Sequence, residues 1–123
     1  MSQMGKVTFR GTDVDNVVAG DHSPGRGPVL RSDQTEVARI FFQTGERCQM
    51  HHHPEEQTLF VEEGRIRVTL GTGDDGGTYD VERGQASFHP ANEPHEMTAL
   101  EDSYIVSFKN IIAPTYEETG RLL

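Results

Sequence analysis

Alternation of apolar and polar residues is the main pattern from residue 35 onward, and it predicts β-strands. In RIRVTL (65–70) every second residue from Ile66 to Leu70 is apolar, and the residues between them are Arg or Thr. The segment TEVARIFFQ (35–43) is rich in the β-branched and aromatic residues that favour strands. Turn signals recur every ~8–12 residues, the spacing of an all-β sandwich or barrel. Four further strand candidates follow the second turn: TYDVE, QASFH, HEMTAL and SYIVSF.

Turns and less regular segments complete the pattern. TLFVE (58–62) and RIRVTL predict two strands about a tight turn at Glu63-Gly64, and GTGDDGG (71–77) predicts a second turn. CQMHHH (48–53) is ambiguous by propensity. KVTF (6–9) predicts a short strand, and TYEETGRLL (115–123) predicts a short helix or a frayed tail.

We expect three parts in one domain: an N-terminal strand and arm over 1–34, a barrel core over 35–110 and a C-terminal tail over 111–123 packing on the barrel. Residues 10–34 are rich in Gly and Pro and predict either a surface loop or an arm that crosses to a second subunit.

Composition narrows the class of protein. The chain has 123 residues, of which 33% are hydrophobic, with 13 Gly and 6 Pro. Such a composition favours short strands and many turns over a helix bundle. The net charge of −9 argues against binding to nucleic acid or to an anionic membrane. The lone Cys48 excludes an internal disulfide, and no segment has the apolar length of a membrane span or a secretory signal. We therefore expect a cytoplasmic protein.

Candidate chemistry centres on the histidines. Six are present, and His51, His52 and His53 are consecutive. On a strand, His51 and His53 would share a face, because successive side chains alternate. Two imidazoles in this arrangement can bind one transition metal.

The spacing around these histidines resembles the motifs of the cupin superfamily. The first motif is Gly, five residues, His-x-His, three or four residues, Glu, six residues, Gly. GERCQMHHHPEEQTLFVEEG (45–64) fits this spacing, with Gln57 in the position of the Glu. The second motif is Gly, five residues, Pro-x-Gly, two residues, His, three residues, Asn. GQASFHPANEPHEMTA (84–99) fits at Gly84, Pro90 and His95, whereas Asn92 replaces the Gly and Ala99 the Asn.

The resemblance implies a cupin-type double-stranded β-helix, a jelly-roll barrel, with a divalent transition metal inside it (Zn, Ni, Fe, Mn or Cu). Carried over by position, the ligands are His51, His53, Gln57 and His95. Two alternatives for Gln57 stay open. In the first, Gln57 hydrogen-bonds a metal-bound water and does not bind the metal itself. In the second, the turn at Pro54 shifts the register, and Glu55 or Glu56 supplies a carboxylate ligand.

The strand pattern also suggests which other residues surround the site. We expect an interior containing Leu59, Ile66, Val68, Phe88 and Met97. Gln49 is in phase with His51, which predicts a place in the pocket, whereas Cys48 is out of phase and predicts packing or an interface. His89 is expected outside, and His22 in solvent or in a lid.

Other predictions concern polar and aromatic side chains. Arg39 either binds a substrate carboxylate or faces solvent. Tyr104 and Phe108 line the lumen or seal the opposite sheet. Our catalytic candidates are Gln49, Arg39 and Tyr104. The candidates for the general base are Glu56, Tyr104 or a residue of the 10–34 arm.

Three functions fit this sequence. The first is a redox-neutral enzyme whose metal acts as a Lewis acid on a small anionic substrate, in an isomerisation, ring opening or elimination. Some cupins with this Gln variant act on unsaturated sugar acids, and the resemblance implies that class of substrate. The second is an Fe(II) or Cu(II) dioxygenase with three histidines. The third is a barrel that binds a metal or small ligand without catalysis. The resemblance also implies a homodimer.

Overall fold

The computed structural model describes residues 22–71 and 77–112 and the backbone of 121–122. The expected strand 6–9 and most of the turn 71–77 lie outside this range. The described elements are all β-strands, so the all-β prediction is confirmed, and no helix in these ranges is long and apolar enough to span a membrane. The strands are β1 (Val29–Arg31), β2 (Thr35–Phe42), β3 (Arg47–His52), β4 (Gln57–Glu63), β5 (Arg65–Leu70), β6 (Gly77–Glu82), β7 (Ala86–His89), β8 (His95–Ala99), β9 (Ser103–Asn110) and β10 (Arg121–Leu122).

The strands form two five-stranded antiparallel sheets. Sheet A has the order β1-β2-β9-β4-β7, and sheet B has the order β10-β3-β8-β5-β6. Neighbours in each sheet come from distant parts of the sequence, as β2 with β9 and β3 with β8. The result is the double-sheet barrel that the sequence predicts, with the core between the two sheets.

Gly64 marks a corner of the barrel. The strands on either side of it are confirmed, but they do not pair with each other as a hairpin: β4 belongs to sheet A and β5 to sheet B. Gly64 has a φ of 95°, and a Cβ there would lie 2.2 Å from Ser103 Oγ. Both its conformation and its close approach to Ser103 therefore require glycine.

Apolar side chains from alternate strand positions fill the space between the sheets. Val61 and Ile105 of sheet A meet Ile66 and Val68 of sheet B, and all four are at most 1% exposed. The alternation predicted for RIRVTL is confirmed, since Arg67 lies on the outer side and pairs with Asp80 at 2.8 Å. Burial of this apolar surface is the main stabilising contribution to the barrel.

The segments beyond the core also contain strands. Within the turn-rich 10–34 segment, β1 pairs with β2, and Arg26 forms an isolated bridge with Phe41. At the other end, Arg121 and Leu122 pair with His52 and His51. Neither alternative predicted for TYEETGRLL, a short helix or a frayed tail, holds for these two residues, which extend sheet B. The rest of that segment lies outside the described residues. The division into arm, core and tail remains a prediction.

Candidate metal centre

Three histidines converge inside the barrel. His51 and His95 are direct partners across β3 and β8, and His53 follows the end of β3. Each is 3% exposed, and their ligand nitrogens lie within 4.8 Å of one another. We call these three residues the histidine triad.

Backbone carbonyls fix the orientation of all three rings. The Nδ1 atoms of His51, His53 and His95 lie 2.7, 2.9 and 2.9 Å from the carbonyl oxygens of Gln49, Glu55 and Glu93 respectively. A carbonyl only accepts, so each Nδ1 carries the proton and donates it. Each Nε2 is then left with a lone pair, the form in which imidazole binds a metal.

Burial keeps the triad neutral. Desolvation, with a smaller contribution from His95, lowers the pKa of His51 to about 2 and that of His53 to about 4. Desolvation also lowers the pKa of His95. At neutral pH the rings are therefore uncharged and need no deprotonation before they bind a metal.

The donor set fits a divalent transition metal. His95 Nε2 is buried and has no hydrogen-bond partner among the described residues, a costly state unless the atom binds something. The triad borders a cavity of about 60 Å³, which has room for an ion and a small ligand. Three imidazole nitrogens suit Zn, Ni, Fe and Cu.

Gln57 lies beside the triad, as its motif position suggests. Its Nε2 donates to Ser107 Oγ at 2.8 Å, and its side chain also hydrogen-bonds His53. With Nε2 on Ser107, the amide oxygen is left for the cavity that Gln57 lines. The structure thus places Gln57 where an amide oxygen can join the donor set.

The two alternative carboxylates occupy other positions. Glu55 is fully buried, with Oε1 3.7 Å from His53 Nδ1, the edge of that ring that also donates to a carbonyl. Glu56 is exposed, and its backbone N–H donates to Asn110. Neither carboxylate borders the cavity of the triad.

A row of cross-strand partners runs across sheet A opposite the triad. The pairs are Arg31 with Glu36, Glu36 with Lys109, Lys109 with Gln57, and Gln57 with His89. Lys109 Nζ lies 3.7 Å from Glu36 Oε2, and both side chains are more than nine-tenths buried. Burial lowers the pKa of Lys109, while the carboxylates of Glu36 and Glu55 oppose that shift. The strand candidate SYIVSF ends one residue before Lys109, so the sequence pattern did not indicate this residue.

A β-bulge in β3 reverses the facing predicted for Gln49 and brings Cys48, for which packing was one of the two predictions, into the buried core. The register of β3 against β8 shifts between Cys48 and His51, so both side chains are buried although they are three residues apart. Cys48 Sγ lies 3.6 Å from His51 Nδ1 and borders the cavity. Gln49, expected in the pocket, is instead exposed on the outer side, and only its carbonyl serves the site.

Strand β7 also has the opposite orientation to the one expected. Phe88, predicted inside, is 53% exposed, and His89, predicted outside, is fully buried. The His89 ring packs against His95 with a centroid distance of 4.5 Å, and its Nε2 hydrogen-bonds Ser87 at 3.0 Å. The error has a physical cause: this part of the interior is polar, so hydrophobicity identifies the wrong face.

Arg39 and Tyr104 lie together on the outer face of sheet A. The Arg39 guanidinium stacks on the Tyr104 ring at 3.9 Å and pairs with Glu62 at 2.6 Å. Phe108, on the same face, is 50% exposed. The prediction that Arg39 or Tyr104 reaches the substrate is therefore not supported by their positions, since neither borders the cavity of the triad.

His22 approaches the triad from the N-terminal arm. Its ring packs on His51 with a centroid distance of 4.1 Å, and its carbonyl accepts from the backbone N–H of Gln49 at 2.7 Å. His22 and Ser23 border the cavity. His22 and Ser23 thus cover one side of the site, which agrees with a lid position for His22 rather than with solvent.

Asn92 explains one departure from the second motif. It has a φ of 65°, the conformation for which glycine is favoured and which asparagine tolerates better than most residues. Its backbone N–H donates to the His53 carbonyl at 2.7 Å. The turn between β7 and β8 therefore supports the triad with Asn in place of Gly.

Several solved structures share this fold. KdgF from Halomonas sp. is similar with a TM-score of 0.65 and 20% identity over 73% of this chain and 81% of that one. A point mutant of oxalate decarboxylase OxdC from Bacillus subtilis is similar with a TM-score of 0.71 and 19% identity, over 89% of this chain and 30% of that one. The DMSP lyase DddQ from Ruegeria pomeroyi is similar with a TM-score of 0.63 and 18% identity, over 76% of this chain and 45% of that one. At these identities the likeness establishes the fold.

Family comparison agrees with the motifs. Comparison of the sequence with curated proteins gives no significant match. The family model described as "Cupin domain" matches residues 38–111, which include both motifs and all of the triad. The chain belongs to the cupin family.

Proposed function

We propose that this protein is a metal-dependent enzyme that acts on a small anionic, sugar-acid-like substrate without net oxidation or reduction. One observation carries the proposal: among the Lys, Arg, Asp and Glu residues of the described part of the chain, Lys109 alone borders the cavity of the triad. A cationic wall opposite a metal site favours an anionic ligand.

The ligand set supports the same preference. His51, His53 and His95 would hold the metal, with Gln57 as a fourth, neutral donor. A bound divalent metal supplies Lewis-acid polarisation of a carbonyl or hydroxyl oxygen. Neutral ligands leave the ion's positive charge uncompensated, which strengthens its attraction for a carboxylate or enolate. Lys109 adds a second positive charge to the same cavity.

Lys109 is held in place by its ion pair. Glu36 borders a separate outer groove and not the cavity of the triad, whereas Lys109 borders both. The carboxylate therefore fixes the lysine from behind, and the ammonium remains at the cavity wall. In this position it would bind a substrate carboxylate and orient it toward the triad.

The remaining cavity wall excludes water and selects for size. Phe42, Leu59, Met97 and Ile105 border it and are at most 7% exposed. A low-polarity surrounding strengthens the attraction between Lys109 and an anion. The cavity's small volume favours a compact substrate over an oligomer.

The test is a substrate panel on the metal-loaded protein. It would include unsaturated uronic acids, other small hydroxy and keto acids, and the neutral sugars that match them, followed by ultraviolet absorbance and NMR. We expect turnover of an acid and none of its neutral counterpart, with Lys109→Met raising KM. Arg39→Met, which removes a positive charge from the outer face, is the matched control and should behave as wild type.

Three results would contradict the proposal. Dioxygen consumption in step with turnover would indicate the dioxygenase alternative. Thermal stabilisation by an acid without any turnover would indicate a binding barrel. Equal loss of activity in the Lys109 and Arg39 variants would show that charge at the cavity wall is not what selects the substrate.

We also propose that the protein is a homodimer formed through sheet A. Phe60, Phe88 and Phe108 lie on the outer face of that sheet and are 37%, 53% and 50% exposed. An exposed aromatic cluster of this kind marks a contact surface, and a twofold pair of identical chains is the commonest partner. The outer face of sheet B carries ion pairs of Arg67 with Asp80 and Arg65 with Glu101, and it has no comparable aromatic cluster among the described residues.

A further inference from the structure

A second group of metal-ligating side chains lies behind the triad. His22, Cys48 and His51 each offer one ligand atom, and these atoms lie within 4.8 Å of one another. Cys48 Sγ and His51 Nδ1 are 3.6 Å apart, close to the separation that a sulfur and a nitrogen have when they share a metal. The site differs from the triad by containing sulfur.

Each member is held where it is by the fold. The bulge in β3 brings Cys48 to the same side as His51. The backbone N–H of Gln49 holds the His22 carbonyl at 2.7 Å, which anchors the arm beside β3. Cys48 is 7% exposed and His51 is 3% exposed, so a metal bound here would be shielded from water.

The chemistry of the two groups differs. Thiolate is a soft ligand that selects soft ions such as Cu(I), whereas imidazole and amide oxygen suit borderline divalent ions. A strong thiophilic ion would be needed to displace the Cys48 proton, since burial of the thiol disfavours its anion.

We propose that His22, Cys48 and His51 form a second metal site, selective for Cu(I), which overlaps the triad by sharing His51. His51 would supply its Nδ1 to the copper in place of the hydrogen bond to Gln49. Because the same ring serves both sites, Cu(I) and a divalent ion would compete for the protein. This proposal does not depend on the proposed enzymatic function.

The test titrates two ions into four forms of the chain. Cu(I), kept reduced under nitrogen, is measured by competition with a chromophoric chelator, and Co²⁺ is measured as a visible substitute for Zn²⁺. The proteins are wild type, Cys48→Ala, His22→Ala and His95→Ala. Thermal unfolding confirms that each variant is folded, and Cys48→Ser replaces Cys48→Ala if the smaller side chain destabilises the barrel.

We expect Cys48→Ala and His22→Ala to weaken Cu(I) binding by more than the roughly 10–100-fold typical of outer-shell changes, while Co²⁺ binding changes little. His95→Ala should abolish Co²⁺ binding and retain Cu(I) binding. Saturation with Cu(I) should exclude Co²⁺.

Unchanged Cu(I) affinity in the Cys48 and His22 variants, or its loss in His95→Ala alone, would overturn the sulfur site. Full simultaneous occupancy by both ions would overturn the sharing of His51. Wild type that binds Cu(I) as described but no Co²⁺ would refute the proposed function and leave this site standing.

Discussion

Gln57 and Lys109 are cross-strand partners on β4 and β9, and both side chains border the cavity of the histidine triad. One side chain is a neutral amide where the first motif of the family has a carboxylate, and the other is a buried cation. A carboxylate at position 57 would neutralise Lys109 across the strand pair. The amide adds no negative charge to the cavity, so the positive charge of Lys109 and of a bound metal is not reduced from this position.

Replacing Gln57 with Glu should therefore change metal binding. We expect Gln57→Glu to bind Zn²⁺ more tightly, by about tenfold, which corresponds to about 1.4 kcal/mol, because a carboxylate is a better ligand than an amide. Competition titration against a zinc chelator measures this. Gln49→Glu adds the same charge nearby on an exposed side chain and is the control. Equal affinities for the two variants would place Gln57 outside the metal's donor set.

The Lys109–Glu36 pair should also matter for stability. Lys109→Met removes one member of a buried ion pair and leaves the Glu36 carboxylate with Arg31, 3.5 Å away, as its described partner. We expect a loss of about 3 kcal/mol in the free energy of unfolding, measured by urea titration. Adding Glu36→Gln to Lys109→Met should recover part of the loss, because the buried charge is then gone. A double variant less stable by the sum of both single effects would show that the two groups are uncoupled.

The corner at Gly64 offers a sharp comparison between two glycines. Gly64 and Gly84 have similar φ angles of 95° and 86°, but a Cβ at Gly84 meets nothing within 4 Å. Gly84→Ala should cost about 1 kcal/mol from backbone strain alone. Gly64→Ala should cost clearly more, since its Cβ would overlap Ser103 Oγ and the Asp102 carbonyl. Thermal or urea unfolding of both variants tests this, and equal costs would refute the close approach at the corner.

The proposed dimer depends on the aromatic face of sheet A. Wild type should elute as a species of about twice 13.7 kDa in size-exclusion chromatography with light scattering. Phe88→Asp and Phe108→Asp should each shift it to the monomer mass. Thr78→Asp, an exposed substitution on sheet B, should leave the dimer intact. A monomeric wild type, or a dimer that survives both Phe variants, would contradict the interface.

The sequence patterns identified the residues of the site better than they predicted which way neighbouring side chains face. The motif spacing predicted that His51, His53, His95 and Gln57 lie at one cavity. The pairing of β3 with β8 brings the histidines together, and β4 presents Gln57 from the facing sheet. The strands themselves were evident from alternation, as in RIRVTL. The pairing of those strands was not, since a tight turn at Gly64 looks the same whether the chain stays in one sheet or crosses to the other.

The wrong predictions arose where a feature of the tertiary structure overrode a local sequence rule. Strict alternation put Gln49 inside and Cys48 out of phase with His51, and a single bulge in β3 changed both relationships. Hydrophobicity put Phe88 inside and His89 outside, whereas the polar interior and the exposed aromatic face of sheet A demand the opposite. Lys109 is buried beside Glu36 of β2, a pairing between residues 73 positions apart that no local pattern reveals.

The histidine triad as a metal site is the central claim, and metal content is its most direct test. We would load the protein with Zn²⁺, remove excess ion with a weak chelator, and measure the metal retained by wild type, His95→Ala and His52→Ala. His52 is the matched control, because it is adjacent to two triad residues but does not border the cavity. We predict roughly one equivalent in wild type and His52→Ala and almost none in His95→Ala. A wild type that retains no metal, or a His95→Ala variant that retains as much as His52→Ala, would contradict the claim.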